Sequence, residues 1–129
     1  MGDAVSSRTL MEDRNFLIMQ FTNISDSTGE SDVKKVDVSA LTPACGSVKI
    51  NKVYYNVIGM AVAIEWDATT DTVACVVQGT GVTDYRAICG GVTNDAGAAV
   101  TGDVFFTTTG HSAGDSYNII LEMEKVGPV

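Results

Sequence analysis

The clearest feature of the sequence is an alternation of apolar and polar residues with a period of two. Every second residue is apolar from Met60 to Trp66, and the same pattern returns between Tyr117 and Met123. Because successive side chains of a β-strand point to opposite faces, each stretch is predicted to be a strand with one face on a core.

A third β-rich stretch changes phase partway along its length. Val48 and Ile50 have one parity, whereas Val53 and Val57 have the other. A slip of one residue would turn a whole apolar set outward, so we expect a β-bulge near Asn51 that restores the register.

Five further segments have the composition of strands, namely 16–23, 33–40, 72–78, 85–89 and 104–109. Turn-forming residues separate the strand segments at 25–29, 79–81, 90–91, 94–97 and 110–114. The spacing predicts an all-β fold, an antiparallel β-sandwich or a jelly-roll-like barrel of about eight strands.

The N-terminal part of the chain lacks a clear packing pattern. Residues 9–20 carry a partial helical stripe, but the apolar run at its end favours a strand. We therefore predict an N-terminal arm over residues 1–15 and one β-sandwich domain over residues 16–129.

The net charge of −8 changes the range of partners to consider. Sixteen acidic residues face eight scattered basic ones, which is unfavourable for a phosphate backbone, so nucleic acid is not expected as a partner. There is no run of 18 apolar residues for a membrane span and no secretory signal. Three cysteines without close spacing predict neither disulfides nor a zinc site, and Cys75 is expected in the core.

The sequence contains few residues in patterns that support catalysis. His111 is the one histidine and lies in a polar turn flanked by glycines, where a surface role is expected. No Gly-x-Ser-x-Gly motif or phosphate-binding loop accompanies it. We predict that the protein is not an enzyme and has no catalytic, metal-binding or cofactor-binding residues.

Carboxylates gather in two turn-like segments without a recognisable spacing. Asp26, Glu30 and Asp32 lie in one, and Asp67 and Asp71 lie in the other. Neither matches a calcium-binding loop of the EF-hand type, so turn formation and solvated charge are the expected roles. A calcium-binding loop stays an open alternative.

The aromatic residues divide by parity. Trp66 shares the apolar face of its strand and is expected in the core. Tyr54 has the opposite parity to Val53 and Tyr55, so it is the candidate for an exposed aromatic beside Lys52 at a protein interface. A carbohydrate-binding β-sandwich that uses Tyr54, or loop aspartates with calcium, is an alternative of another class.

Several phrases of strand and turn residues together resemble a known family. They are DSTGESDV at 26–33, KVDVSAL at 35–41, YNVIGM at 55–60, WDATTD at 66–71, TGDV at 101–104, FTT at 106–108 and GDSY at 114–117. The chain, from about residue 16 to 125, resembles small structural proteins of tailed bacteriophages that decorate or cement the head.

The resemblance implies a role rather than a site. It implies a capsid decoration protein on the virion surface, assembled in the bacterial cytoplasm, that binds the major capsid protein and forms a homo-oligomer, with a trimer favoured. The segment before Phe16 is then expected to contact neighbouring subunits by strand addition. A head–tail connector or a tail protein is the structural alternative.

Overall fold

The computed structural model describes residues 4–24, 30, 33–68, 70–94, 101–110, 112 and 114–126. The elements in chain order are β1 (Ala4–Glu12), β2 (Phe16–Ile24), β3 (Val33–Val36), a 3-10 helix (Val38–Ala40), β4 (Ser47–Trp66), β5 (Thr72–Asp84), α1 (Tyr85–Cys89), β6 (Val104–Thr109) and β7 (Ser116–Val126). Strands dominate and pair antiparallel, so the predicted all-β antiparallel fold is confirmed.

The described strands form one curved sheet rather than two separate ones. Its order is β1-β2-β7-β4-β6-β3, and β5 pairs with β4 from the other side. The strand β4 connects both halves, because its first part pairs with β7, its last part pairs with β6, and β5 runs beside both parts.

The sequence predicted two strands where the structure has the twenty-residue β4. The two segments are joined through Gly59, whose φ of +80° favours glycine, and the pairing with β5 shifts register at this level. Such an irregularity bends a strand without ending it. The β-bulge predicted near Asn51 is confirmed by a register shift between Ile50 and Lys52 against β7.

The core lies inside the curve of the sheet. Phe106 of β6 meets Phe21 of β2 edge to face at 5.2 Å and Tyr117 of β7 at 5.8 Å between ring centroids. Trp66 is fully buried and Cys75 nearly so, as the sequence predicted. Aromatic pairs in this arrangement stabilise a core beyond the area that they bury.

Three local predictions are wrong. The strand predicted over 33–40 ends at Val36, and Val38–Ala40 form a 3-10 helix because the Asp37 side chain caps it by accepting a hydrogen bond from the Ser39 amide at 3.1 Å. Residues 85–89 form the helix α1 instead of a strand, because Asp84 accepts a hydrogen bond from the Ala87 amide and Gly90 ends the helix with φ +82°. Residues 79–81 continue β5 instead of forming a turn. The described residues thus contain seven strands, where about eight were predicted for the chain.

The N-terminal segment forms the strand β1 along β2. The turn between them is held by Asp13, whose Oδ1 accepts hydrogen bonds from the amides of Asn15 and Phe16 at 2.9 and 2.7 Å. The side chains at positions 6–11 are exposed. The segment predicted as an arm therefore includes an edge strand, and the boundary at residue 15 stays a prediction.

Candidate interaction surface

The strand β5 has one open side. Among the described strands it pairs with β4 alone, so no described strand lies beside the backbone N–H and C=O groups that point away from β4. No Lys, Arg, His, Asp or Glu occurs from Thr72 to Thr83. Natural proteins usually protect such an edge with charges, proline or a short strand, and this edge has none of these over most of its length.

Apolar side chains are exposed along and beside this edge. Val73, Val76 and Val82 of β5 are 50, 60 and 55% exposed. Ile58 of β4 is 57% exposed, and Ile88 of α1, which directly follows β5, is 71% exposed. Grouped exposed apolar residues mark contact surfaces, so we define the β5 edge as β5 together with Ile58 and Ile88.

A row of polar side chains crosses the outer face of the sheet. Arg8 Nε donates to Gln20 Oε1 at 2.9 Å, and Gln20 Nε2 donates to Asn118 Oδ1 at 3.0 Å. Asn118 lies opposite Asn56, whose Oδ1 accepts from Thr80 Oγ1 at 3.0 Å. The row therefore crosses five strands, from β1 to β5.

Tyr54 is half-buried on the same face. The Lys52 ammonium lies 5.0 Å from the centre of its ring, a distance at which a cation is attracted to the ring face. A side-chain hydrogen bond with Tyr54, ahead of the nearby Asp84 and Glu122, raises the pKa of Lys52. The predicted neighbourhood of Tyr54 and Lys52 is therefore present, with the aromatic partly covered by the cation.

A cleft of about 250 Å³ lies beside the bulge of β4. Two basic side chains, Lys52 and Arg86, and two acidic ones, Asp84 and Glu122, line it together with apolar residues. Asn51 also lines it and is 6% exposed, and its Oδ1 has no hydrogen-bond partner among the described residues. The charges balance, so the cleft selects neither an anion nor a cation by net charge.

A buried ionic centre lies inside the curve of the sheet. Lys35 Nζ donates to Glu30 Oε2 at 2.5 Å, and Tyr117 donates to Glu30 Oε1 at 2.5 Å. The ammonium also lies 5.7 Å from the centre of the Phe106 ring. Both charged side chains are at most 4% exposed. We name Glu30, Lys35 and Tyr117 the inner centre.

A second buried lysine lies where β1 ends. Lys125 Nζ donates to Glu12 Oε2 at 2.9 Å and to the Pro43 carbonyl at 3.0 Å. The same carboxylate oxygen accepts from the Thr42 amide at 2.7 Å. We name Glu12 and Lys125, with these backbone groups, the outer centre, which connects β1, the segment after the 3-10 helix and β7.

The candidate residues from the sequence fall in different places. His111, Asp26 and Asp32 lie outside the described residues. Asp71 accepts a hydrogen bond from the Ala68 amide at 3.1 Å, which is the expected turn role. Glu30 differs from the solvated charge that was expected, because it is buried in the inner centre.

Sequence reasoning missed Lys35 and Lys125, although both stand in strand patterns. Lys125 has the parity of Met123 and Leu121, and so continues an inward face. An acidic or basic residue at an inward position is a signal for a buried partner. The partner itself, Glu12, is 113 residues away and cannot be found from spacing.

Neither a metal-binding group nor a membrane-spanning helix is found in the described residues. Within these ranges, no three His, Cys, Asp or Glu side chains are grouped so that they could hold a metal ion. In the same part of the chain, no helix has the length and apolar character needed to cross a membrane.

Comparisons with known proteins do not assign this chain to a family. No protein-family model matches the chain, and no curated protein matches it. Among solved structures, the chain is similar to one titled "Crystal structure of PirA", with 13% sequence identity, a TM-score of 0.36 and 95% of each chain covered. A similarity at this level assigns neither a family nor a function.

Proposed function

We propose that the chain is a structural protein of a tailed-phage particle, a decoration or cement protein that binds the major capsid protein and stabilises the head. The phrases that resemble this family are strand and turn phrases, and most of them lie in described strands or next to them. A protein of this kind works through contact area on a rigid scaffold, since every subunit that binds only the assembled shell stabilises the shell.

The observation that carries the proposal is that long strands are open at the edges of the sheet. Within the part of the chain that the structure describes, β1 pairs with β2 alone, and it exposes Leu10 and Met11, at 44 and 39%. The outer centre fixes the end of β1 through Glu12. A fixed open strand can pair with an extended segment of another protein at a low entropic cost, which suits binding to a capsid subunit.

Binding to expanded heads of the encoding phage tests the proposal. Leu10→Lys keeps Glu12 and the fold but puts a charge on the β1 surface, so occupancy in a cryo-electron map should fall by about tenfold. Val126→Lys is the matched control, because Val126 is 47% exposed and lies at the end of β7. Full occupancy of the Leu10 variant would contradict a role for β1, and absence of the protein from heads would contradict the capsid role.

A position at the neck or tail is the structural alternative. Twelvefold or sixfold rings in the particle map would favour it over trimers at the sites where capsid subunits meet.

A carbohydrate-binding role has one observation in its favour. Tyr54 lies on the face that carries the amides of Gln20, Asn56 and Asn118, and amides next to an aromatic ring suit sugar hydroxyls. Glycan-array binding that disappears in Tyr54→Ala would support this role. A blank array would exclude it for the glycans present.

A further inference from the structure

The open side of β5 has an unusual combination of length and charge. The strand has thirteen residues, about twice the usual strand length, and its first twelve residues carry no Asp, Glu, Lys, Arg or His. The whole chain nevertheless has a net charge of −8. An uncharged strand of this length at a sheet edge is a template for pairing with another strand.

The charge distribution indicates which protein supplies the strand that pairs with β5. A basic partner of an acidic protein would be recognised through carboxylates, and β5 presents none before Asp84. A second copy has the same negative charge, so two copies approach at the lowest electrostatic cost where neither exposes an acid. We propose that the open edge of β5 pairs antiparallel with β5 of a second copy, about a two-fold axis.

The curvature of the sheet fixes the register of this pairing. Both β4 and β5 contain a glycine with positive φ at the same level, Gly59 at +80° and Gly79 at +79°, where the register shifts. A strand beside β5 has to bend at the same level as β5. The second copy does so when its Gly79 faces Gly79 on the axis, which places Val76 opposite Val82 of the second copy, and Val82 opposite its Val76.

The paired arrangement covers side chains that the single chain exposes. Val76 and Val82 gain a β-branched neighbour directly across the strands, a pairing that stabilises sheets. Gln78 and Thr80 lie between them and also face each other across the axis. The pairing is a property of the free chain and goes beyond the proposed capsid role, which uses β1.

The oligomeric state of the purified chain tests the proposal. Sedimentation velocity over a wide concentration range should show a monomer–dimer equilibrium. The double variant Val76→Lys, Val82→Lys places lysines opposite each other and should weaken dimerisation on the order of a hundredfold. Ile24→Lys is the matched control, since Ile24 is 60% exposed like Val76 but lies on β2. Circular dichroism verifies that each variant is folded.

A monomer at the highest concentration, a trimer, or equal weakening by Ile24→Lys would each overturn the proposal. Capsid occupancy measured on the same variants separates it from the proposed function, because occupancy depends on β1. Loss of the dimer with full occupancy supports the β5 pairing and agrees with the capsid role, whereas a dimer that is absent from heads would contradict the capsid role alone.

The register has its own test in a background with Cys89→Ser, because Cys89 is an exposed thiol. Val76→Cys and Val82→Cys chains are prepared separately and then mixed under mild oxidation. Disulfide-linked dimers should form in the mixture and not with either variant alone, since only residues directly opposite are close enough for a disulfide. Linked dimers of one variant alone, or none in the mixture, would refute this register.

Discussion

The inner and outer centres each bury a lysine beside a glutamate, but they differ in how far water can reach the pair. In the inner centre both side chains are nearly inaccessible, with exposures of 3% for Lys35 and 4% for Glu30. In the outer centre Lys125 is fully covered, while the Glu12 side chain is 21% exposed. The inner centre also has a phenol hydroxyl on its carboxylate, where the outer centre has a backbone amide.

This difference in exposure to water indicates that the two centres have different structural roles. A fully buried pair costs desolvation energy that only good geometry repays, so its removal as a unit is tolerated better than the loss of one partner. The inner centre therefore specifies how β3 and the residue Glu30 sit over β7. The outer centre is reached by water on one side, and it holds an edge strand in place.

The largest effect should come from breaking the inner centre on one side. Glu30→Gln leaves the Lys35 ammonium buried without a counter-charge and should lower the free energy of unfolding by about 3–5 kcal/mol, measured by urea denaturation. The double variant Glu30→Gln, Lys35→Met removes both charges and should be more stable than the single variant. Lys35→Met alone completes the cycle, and a double-variant loss equal to the sum of the two single losses would show that the two side chains are not coupled.

A smaller loss is expected from the hydroxyl of the inner centre. Tyr117→Phe keeps the ring against Phe106 but removes a hydrogen bond to a carboxylate, and should cost about 1.5–3 kcal/mol. The ring contact is the internal control, because Tyr117→Leu loses it as well and should be less stable than Tyr117→Phe. If Tyr117→Phe were as stable as the wild type, the Tyr117 hydroxyl would not contribute to the stability of the inner centre.

The outer centre should respond more weakly and more locally. Glu12→Gln weakens the bond to Lys125 at the end of β1 and should cost about 1 kcal/mol, because water can partly replace the carboxylate. Hydrogen exchange should accelerate in β1 before it does in β7. Uniform acceleration across the sheet would mean that β1 does not open on its own.

The smallest expected effect is a loss of stabilisation by the outer centre at acid pH. Burial raises the pKa of Glu12, but the hydrogen bonds from the Thr42 amide and Lys125 outweigh it, so the net pKa is below the ordinary 4.5. A lowered pKa means that the stabilisation is complete above the ordinary value and is lost as pH falls below it. The stability difference between wild type and Glu12→Gln should therefore be constant near neutral pH and shrink below pH 4.5.

The sequence contained much of the fold and little of these centres. Period-two alternation identified the strands around Ile64 and Leu121, and a change of phase located the bulge near Asn51, because both depend on neighbours in the chain. The helix at 85–89 was missed, since its caps at Asp84 and Gly90 outweigh the β-forming composition. The partners of the buried lysines depend on tertiary pairing, which leaves no local pattern.

The glycine interruption in β4 has a consequence for how the molecule comes apart. Both halves of the curved sheet hold the same strand, one through β7 and the other through β6, and Gly59 lies at the junction. Phe106 of β6 contacts Phe21 of β2 and Tyr117 of β7, so these aromatic contacts join the two halves. If one half loses its pairing along β4, the aromatic side chains of the other half become exposed. The amides on either side of Gly59 should therefore exchange together in native-state hydrogen exchange, as a single cooperative unit, while β1 opens more readily.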